Sequence, residues 1–300
     1  MEHNKAIMED SEIEKEDKEN LIKSPLKVKI KKFSKNKRAV IGLSVVIIFI
    51  ILAIIAPIIS PYNPIEQNMG ERLHSPSATH IFGTDEFGRD IFSRVLYGTR
   101  ISLATGVVSV LVAVIFGVIF GTLSGYFGGI VDTVIMRIMD VFMAFPSFLL
   151  ALAIVSILGP GMVNVMIAIG VYSIPNFSRI ARSAVISIKN MEYIEATVSM
   201  GGKHSYIMLK HVIPNSISPI VVIATLRIAT AIISAAGLSF LGMGAQPPTP
   251  EWGAMLSSGR EYLRTAPHLS TIPGLAIMLL VLGFNMFGDG LRDALDSKTN

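Results

Sequence analysis

The sequence predicts an all-α polytopic membrane protein with six transmembrane helices. Hydrophobic residues occupy 51% of the 300 positions and charged residues only 16%, whereas soluble domains contain about 25% charged residues. Several stretches with little or no charge are long enough to cross a hydrocarbon core of roughly 30 Å, which takes about 20 helical residues. We place the six spans at about 39–60, 101–131, 133–158, 162–180, 216–241 and 265–288.

The first span, Ala39 to Ser60, has a cleaved signal peptide as its alternative. The hydrophobic region of a signal peptide is about 7–15 residues long and is followed by a cleavage site with small residues. The stretch here is longer, and no such site follows it. The sequence therefore favours a transmembrane span.

Glycine and proline residues divide and shape the other spans. Gly117, Gly121 and Gly125 are four residues apart, which is typical of helices that pack closely in a bilayer. The uncharged stretch from Val141 to Ser178 is too long for one crossing, and Gly159-Pro160-Gly161 interrupts it. Proline and glycine together end helices, so we expect the third and fourth spans to meet there.

The charged residues predict the orientation and three regions of the chain. The charged residues within 1–20 are mostly acidic, and 23–38 is strongly basic. We expect residues 1–38 to form a disordered cytoplasmic tail. The basic run lacks the interleaved aromatic residues of a nucleic-acid site. Six spans then place both termini in the cytoplasm. The first span and an extracytoplasmic loop occupy 39–99, and a five-helix core with a cytoplasmic loop at 183–215 occupies 100–296.

Known catalytic and metal-binding patterns are missing from the sequence. There is no cysteine, hence no disulfide or thiolate ligand, and no phosphate-binding Gly-x-x-x-x-Gly-Lys-Ser/Thr loop or His-Glu-x-x-His motif. Asp85-x-x-Gly88-Arg89-Asp90 lacks metal-ligand spacing, so helix capping or an intersubunit contact is favoured for it. We expect no catalytic residue, no metal and no cofactor.

A polar segment, residues 192–214, lies between the fourth and fifth spans. Asn190 is a plausible N-cap with Glu192 in the first turn, and Gly201-Gly202 fit a helix end. A second helical piece, 204–213, is expected to end before Pro214. We expect an apolar stripe formed by Met191, Ile194 and Val198. Such a helix could lie on the bilayer surface or dock on a cytosolic partner.

Two further features have open interpretations. Arg227 lies midway along the fifth span, where a charge needs a partner or water; it could line a transport path or form a structural pair. Arg137 and Asp140 are three residues apart and are expected to pair with each other. Trp252, the only tryptophan, is expected to anchor an outer loop at the membrane interface.

Several motifs in order resemble the C-type permease subunit of dipeptide, oligopeptide and nickel ABC importers, over roughly residues 35–296. The segment Glu195-Ala196-Thr197, with Gly201 and Ile213-Pro214 after it, is similar to that family's EAA signature. Departures from the family pattern occur at Thr197, Gly202, Ile213 and Ala235. The other matching stretches are Gly83 to Leu103, Met136-Arg137 with Asp140 and Pro146, Gly237 to Gly253, and Phe284 to Leu295.

This resemblance implies a six-helix MetI-like fold in the cytoplasmic membrane of a prokaryote. It implies a second homologous permease subunit, two cytosolic ATPase subunits and an extracytoplasmic substrate-binding protein as partners, membrane lipid around the spans, and no nucleic acid. Dipeptides or short oligopeptides are the expected substrates, with nickel chelates or glutathione as alternatives. The residues implied in ATPase coupling are Glu195, Ala196, Thr197, Gly201, Ile213 and Pro214, and Arg227 is a candidate for the translocation path.

A secondary transporter with charges near the membrane midplane is the alternative from another class. Only Arg227 lies near the midplane, and no acidic residue accompanies it there to couple a proton or a sodium ion. The importer is therefore favoured.

Overall fold

The computed structural model describes residues 25–295. All the secondary structure elements in this range are helices, as predicted. A five-residue π-helix, Met208–Val212, lies between the α-helices His204–Ile207 and Ile213–Phe240, and short 3-10 turns lie at Met69–Glu71 and Arg260–Tyr262. The α-helices are α1 Pro25–Lys35, α2 Lys37–Ile59, α3 Ile91–Phe127, α4 Gly129–Met143, α5 Ser147–Leu158, α6 Met162–Lys189, α7 Glu192–Ser199, α8 His204–Ile207, α9 Ile213–Phe240, α10 Trp252–Gly259 and α11 His268–Leu295.

Each of the six predicted spans corresponds to part of this helical set. Within residues 25–295, four helices are long and apolar enough to cross a membrane: α2, α3, the continuous run His204–Phe240, and α11; α4 and α5 together make a fifth candidate. The predicted fourth span falls on α6, which is 28 residues long but carries more polar residues. The chain is therefore a multi-pass membrane protein.

The predicted third span, 133–158, is not one straight helix. It consists of α4 and α5, which meet at an angle of 89°. The bend falls at Ala144-Phe145-Pro146, and Pro146 immediately precedes α5. Proline has no N–H to continue the helix and disfavours helical geometry in the residue before it. By contrast, the predicted break at Gly159-Pro160-Gly161 is confirmed, since α5 ends at Leu158 and α6 begins at Met162.

The basic N-terminal segment is a helix where a disordered tail was expected. Residues 1–24 lie outside the described residues, but Pro25–Lys35 form α1. The side chain of Asn36 then caps α2, accepting hydrogen bonds from the backbone N–H groups of Arg38 and Ala39 at 3.1 and 3.3 Å. Phe33 packs edge-on against Phe287 of α11 with ring centroids 5.9 Å apart. An aromatic contact thus orders part of a segment that its charge alone would leave unfolded.

The glycine row of α3 packs closely against another helix, as its spacing predicted, and the structure shows that this helix is α6. A Cβ atom on Gly117 would lie 2.4 Å from the Cβ of Phe177, and one on Gly121 would lie 2.4 Å from the carbonyl oxygen of Ser178. Gly125 continues the row, and a Cβ atom on it would lie 2.9 Å from the carbonyl oxygen of Arg182. Only glycine allows the two backbones to come this close.

Trp252 is buried in the core rather than anchored at the membrane interface. None of its surface is exposed, and its indole N–H donates to the carbonyl of Val95 at 3.0 Å. Phe49 packs edge-on against it with ring centroids 5.9 Å apart, and a Cβ on Gly98 would lie 2.7 Å from its Cδ1. The absence of a side chain at Gly98 makes room for the indole, and this removes Trp252 from the surface.

The loop before α3 is held by buried charges. Asp90 caps α3 by accepting hydrogen bonds from the Ser93 N–H at 2.8 Å and its hydroxyl at 2.7 Å. The carboxylate of Asp85 pairs with Arg89 at 2.6 Å and with Arg94 at 3.3 Å. The predicted capping role of this motif is confirmed.

Candidate coupling site

Helix α7 begins one residue later than the sequence suggested. Met191 is its N-cap residue, with extended backbone angles and no side-chain cap hydrogen bond, whereas Asn190 ends α6. Helix α6 extends to Lys189, so the first residues of the predicted loop 183–215 belong to it. The expected cap at Asn190 is therefore wrong, because the preceding helix uses that residue.

The predicted apolar stripe on α7 is only partly buried. Ile194 is 1% exposed, whereas Met191 and Val198 are 45% and 46% exposed. Ile194 packs into a small apolar cluster, the anchor cluster, which fixes the segment to α3 and α6. The anchor cluster consists of Tyr126, Val185, Ile188, Ile194, Ile207 and Val212.

The end of α7 is the glycine stop that the sequence predicted. Gly201 has a positive φ of 81°, and its N–H donates to the carbonyl of Val198 at 2.9 Å. The N–H of Gly202 donates to the carbonyl of Thr197 at 3.0 Å. This pair of bonds is a Schellman motif, in which glycine takes the left-handed position without steric cost.

Pro214 does not end the second helical piece, contrary to expectation. The helix runs without interruption from His204 to Phe240, and Pro214 lies in the first turn of α9, directly after the π-helix Met208–Val212. Proline is tolerated in the first turn of a helix because its missing N–H is not needed there. The π-helix is locally wider than an α-helix, and it lets Pro214 occupy a first-turn position within a helix that continues on both sides.

The six predicted coupling residues lie in two groups. Glu195 and Ala196 are exposed on α7, Thr197 is half-buried on the same helix, and Gly201 is exposed just beyond it. Ile213 and Pro214, half-buried and exposed respectively, open α9. The two groups are tied together by the amide of Asn215, which donates to the Tyr193 hydroxyl at 3.3 Å.

An exposed apolar surface surrounds these residues. It presents large apolar side chains that are 42% to 79% exposed, which is typical of an interaction site. We call this surface the apolar patch. Its members, with their exposed fractions, are Met191 at 45%, Tyr193 at 42%, Val198 at 46%, Met200 at 79%, Tyr206 at 48% and Leu209 at 69%.

One polar contact connects the segment to the end of α3 and a second connects the end of α6 to it; neither was predicted from the sequence. The hydroxyl of Tyr126 and Nδ1 of His204 are 2.9 Å apart. The ammonium of Lys189 donates to the carbonyl of Tyr126 at 2.6 Å and lies 5.7 Å from the centroid of its ring. These residues are far apart in sequence and follow no periodic pattern, so no signal in the sequence could have paired them.

Arg227 lies in the middle of α9 and donates from Nη2 to Oδ1 of Asn176 on α6 at 3.2 Å.

The expected pair between Arg137 and Asp140 is wrong, because Asp140 pairs with Arg179 of α6 at 2.7 Å. Because α4 and α5 meet at 89°, the face of α4 that carries Asp140 lies beside α6. In residues 25–295, no group of three or more His, Asp or Glu side chains is arranged to hold a metal ion.

Comparison with known families identifies the architecture. Residues 117–300 match the family described as binding-protein-dependent transport system inner membrane component. The chain belongs to this family. Residues 24–76 match the N-terminal transmembrane domain of oligopeptide transport permease C, so the chain has the layout of a C-type permease subunit of an ABC importer.

Two curated relatives match this permease over most of their length. A dipeptide transport system permease protein from Alkalihalophilus pseudofirmus is 49% identical over 275 residues, covering 92% of this chain and 90% of the relative. A glutathione transport system permease protein from Shigella flexneri serotype 5b is 52% identical over 269 residues, covering 89% of each.

A solved structure shares the fold of this permease. The inward-facing MetNI methionine ABC transporter aligns with a TM-score of 0.54 at 20% identity, covering 68% of this chain and 96% of the other. This agreement supports the predicted MetI-like fold.

Proposed function

We propose that this permease imports dipeptides or short oligopeptides across the cytoplasmic membrane of a prokaryote, driven by ATP hydrolysis in two cytosolic partner subunits. The subunit itself performs no chemistry. It pairs with a second homologous permease, receives its solute from an extracytoplasmic binding protein, and keeps both termini in the cytoplasm. The dipeptide permease of Alkalihalophilus pseudofirmus supports this substrate class.

The observation that carries the proposal is the apolar patch on the 192–214 segment. Its side chains are 42% to 79% exposed, yet the segment is fixed to α3 and α6 by the anchor cluster and by the hydroxyl of Tyr126. A surface that is exposed and also rigidly attached to the spanning helices can transmit a movement of a docked partner. We assign coupling to Glu195, Ala196, Thr197, Gly201, Ile213 and Pro214.

With both termini in the cytoplasm, each of the three regions of the chain has a defined location and role. Residues 1–38 and the coupling loop 183–215 face the cytoplasm, the loop within 39–99 faces outside, and the helices of 100–296 form the transport core. Arg227, midway along α9, lines the path for the solute.

Glutathione import is the second candidate, because a glutathione permease is 52% identical to this chain. A nickel-chelate substrate is a further alternative within the family. In contrast, a secondary transporter would need an ionisable partner near Arg227 to bind its coupling ion, and in residues 25–295 the only hydrogen-bond partner found for the Arg227 side chain is Asn176, a neutral amide.

Uptake by the complete importer in proteoliposomes tests the proposal. We expect accumulation of a labelled dipeptide only with ATP inside, with the binding protein outside and with both ATPase subunits present. Glutathione as the better substrate would favour the second candidate. Accumulation driven by a proton or sodium gradient, without ATPase subunits, would contradict the importer altogether.

A further inference from the structure

Helices α6 and α9 share a row of polar side chains in the middle of the spanning region. The hydroxyl of Tyr172 donates to the hydroxyl of Ser234 at 3.1 Å, and Arg227 donates to Asn176 at 3.2 Å. Tyr172 and Asn176 are one turn apart on α6, and Thr230, which is exposed, lies between Arg227 and Ser234 on α9. We call these five residues the polar strip.

The polar strip lies between an apolar core and an exposed charged pair. Toward the start of α6, the helices close over buried side chains that include Val165, Ile169 and Leu238. In the other direction, Arg179 continues the same face of α6 and pairs with Asp140, with both side chains about half exposed at 48% and 46%. The strip therefore leads from buried apolar side chains near the start of α6 to an exposed charged pair.

Arg227 has unused hydrogen-bonding capacity within this strip. A guanidinium carries five N–H donors, and Asn176 accepts from one of its nitrogens. No carboxylate in residues 25–295 lies within ion-pair distance of it, and the side chain is only half-buried. A charge at this depth in a membrane requires water or an anion beside it.

We propose that the polar strip binds the terminal carboxylate of the transported solute, with Arg227 as the contact and Asn176 as the positioning residue. This inference rests on the proposed function. The bond to Asn176 fixes the plane of the guanidinium, so a free edge is available for two parallel hydrogen bonds to a carboxylate. Dipeptides and glutathione both end in a free carboxylate, and the site would accept either and disfavour solutes that lack one.

A cysteine at Thr230 allows direct measurement of binding in the complete importer in nanodiscs. The chain has no native cysteine, so Thr230→Cys gives this subunit a single thiol beside Arg227. A bound solute should slow maleimide labelling by the factor 1 + [L]/Kd, about tenfold at ten times the Kd. The probes are a dipeptide with a free C-terminus and the same dipeptide with a C-terminal amide.

We expect the free acid to bind about tenfold or more tightly than the amide, since a hydrogen bond to a charged group contributes roughly 1.5–3 kcal/mol. Adding Arg227→Gln should abolish this preference, and Asn176→Leu should reduce it, with Arg227→Lys intermediate. Arg137→Gln, which removes an exposed arginine on α4, is the matched control and should leave the preference unchanged.

Equal protection by acid and amide in Thr230→Cys would overturn the inference, as would a preference that survives Arg227→Gln. If Arg227→Gln instead releases the second permease subunit during purification while acid and amide protect equally, Arg227 pairs with an acid of that subunit and the inference is wrong. ATP-driven uptake of the dipeptide by the unmodified importer separates these failures from a failure of the proposed function.

Discussion

The Tyr126 hydroxyl and Nδ1 of His204 lie 2.9 Å apart and join the last turn of α3 to the first residue of α8. The ring of Tyr126 is 5% exposed and belongs to the anchor cluster. This contact connects a membrane-spanning helix directly to the segment that carries the apolar patch. A force applied to the segment can therefore reach α3 without passing through α9.

Replacing Tyr126 with phenylalanine should weaken coupling without unfolding the subunit. The loss of one hydrogen bond, worth about 0.5–1.5 kcal/mol, should lower ATP-driven uptake about 2- to 10-fold while ATP hydrolysis continues. Tyr62→Phe is the matched control, because Tyr62 donates its hydroxyl to the carbonyl of Thr79 in the loop before α3, at 3.1 Å. Equal uptake by both variants would remove the contact from the coupling route.

Thr197 and Gly202 should show a measurable dependence on each other. A Cβ on Gly202 would lie 2.8 Å from the carbonyl oxygen of Thr197 and 3.1 Å from its methyl group. We expect Gly202→Ala to lower the free energy of unfolding in both backgrounds. The loss should be about 0.5–1 kcal/mol larger when Thr197 is present than in the Thr197→Ala variant. Thermal unfolding of the four variants of this cycle measures the difference, and strictly additive effects would contradict the predicted crowding.

Gly121 should not tolerate even one added methyl group. Its Cβ would lie 2.4 Å from the Ser178 carbonyl oxygen, so Gly121→Ala must push α3 and α6 apart, and overpacking of this kind costs about 1–3 kcal/mol. Gly274→Ala on α11 is the control, because its Cβ would meet only Leu256, at 3.6 Å. Thermal stability in detergent should fall for the first variant and stay unchanged for the second.

His80 should make the loop between α2 and α3 sensitive to pH. Burial lowers the pKa of His80, but the hydrogen bonds and negative charges of Asp90 and Glu71 outweigh burial and raise the pKa above its ordinary value of 6.5. The charged histidine is bound more tightly in the folded state, so its stabilisation is complete below about pH 6.5. This stabilisation is lost as the pH rises through the higher folded-state pKa.

The measurement compares the thermal stability of the native protein with that of His80→Gln across this pH range. The advantage of the native protein should be greatest at acidic pH and shrink as the pH rises. A constant difference would show that the charge of His80 contributes nothing, and that its neutral hydrogen bonds and its stacking on Tyr62, whose centroid is 4.7 Å away, account for the stabilisation.

The fold was more predictable from the sequence than the contacts of the site. Long uncharged stretches and the glycine row of α3 depend on local composition, so the spans and the close packing of α3 followed from them, whereas the identity of its partner, α6, did not. Gly201 was likewise predictable, since a left-handed helix end has a local signature. Pro214 misled the prediction, because the π-helix that accommodates it has no such signature.

The remaining errors come from contacts between distant residues. Trp252 was placed at the membrane interface because its burial depends on Gly98, which lies in another helix. The pairing of Asp140 with Arg179 required knowing that α4 and α5 meet at 89°. The roles of Asn176 and Tyr126 were not predicted for the same reason, since each residue forms its hydrogen bond with a residue on another helix.

Cross-linking from Val198 tests most directly whether the 192–214 segment docks on the ATPase. Because the chain has no cysteine, Val198→Cys and Ile65→Cys each create a single thiol in this subunit, at positions that are 46% and 45% exposed on α7 and in the loop after α2. We predict that Val198→Cys in the assembled importer forms a cross-link to an ATPase subunit and that Ile65→Cys forms none. A cross-link to the ATPase from Ile65→Cys, with none from Val198→Cys in an intact complex, would contradict the account.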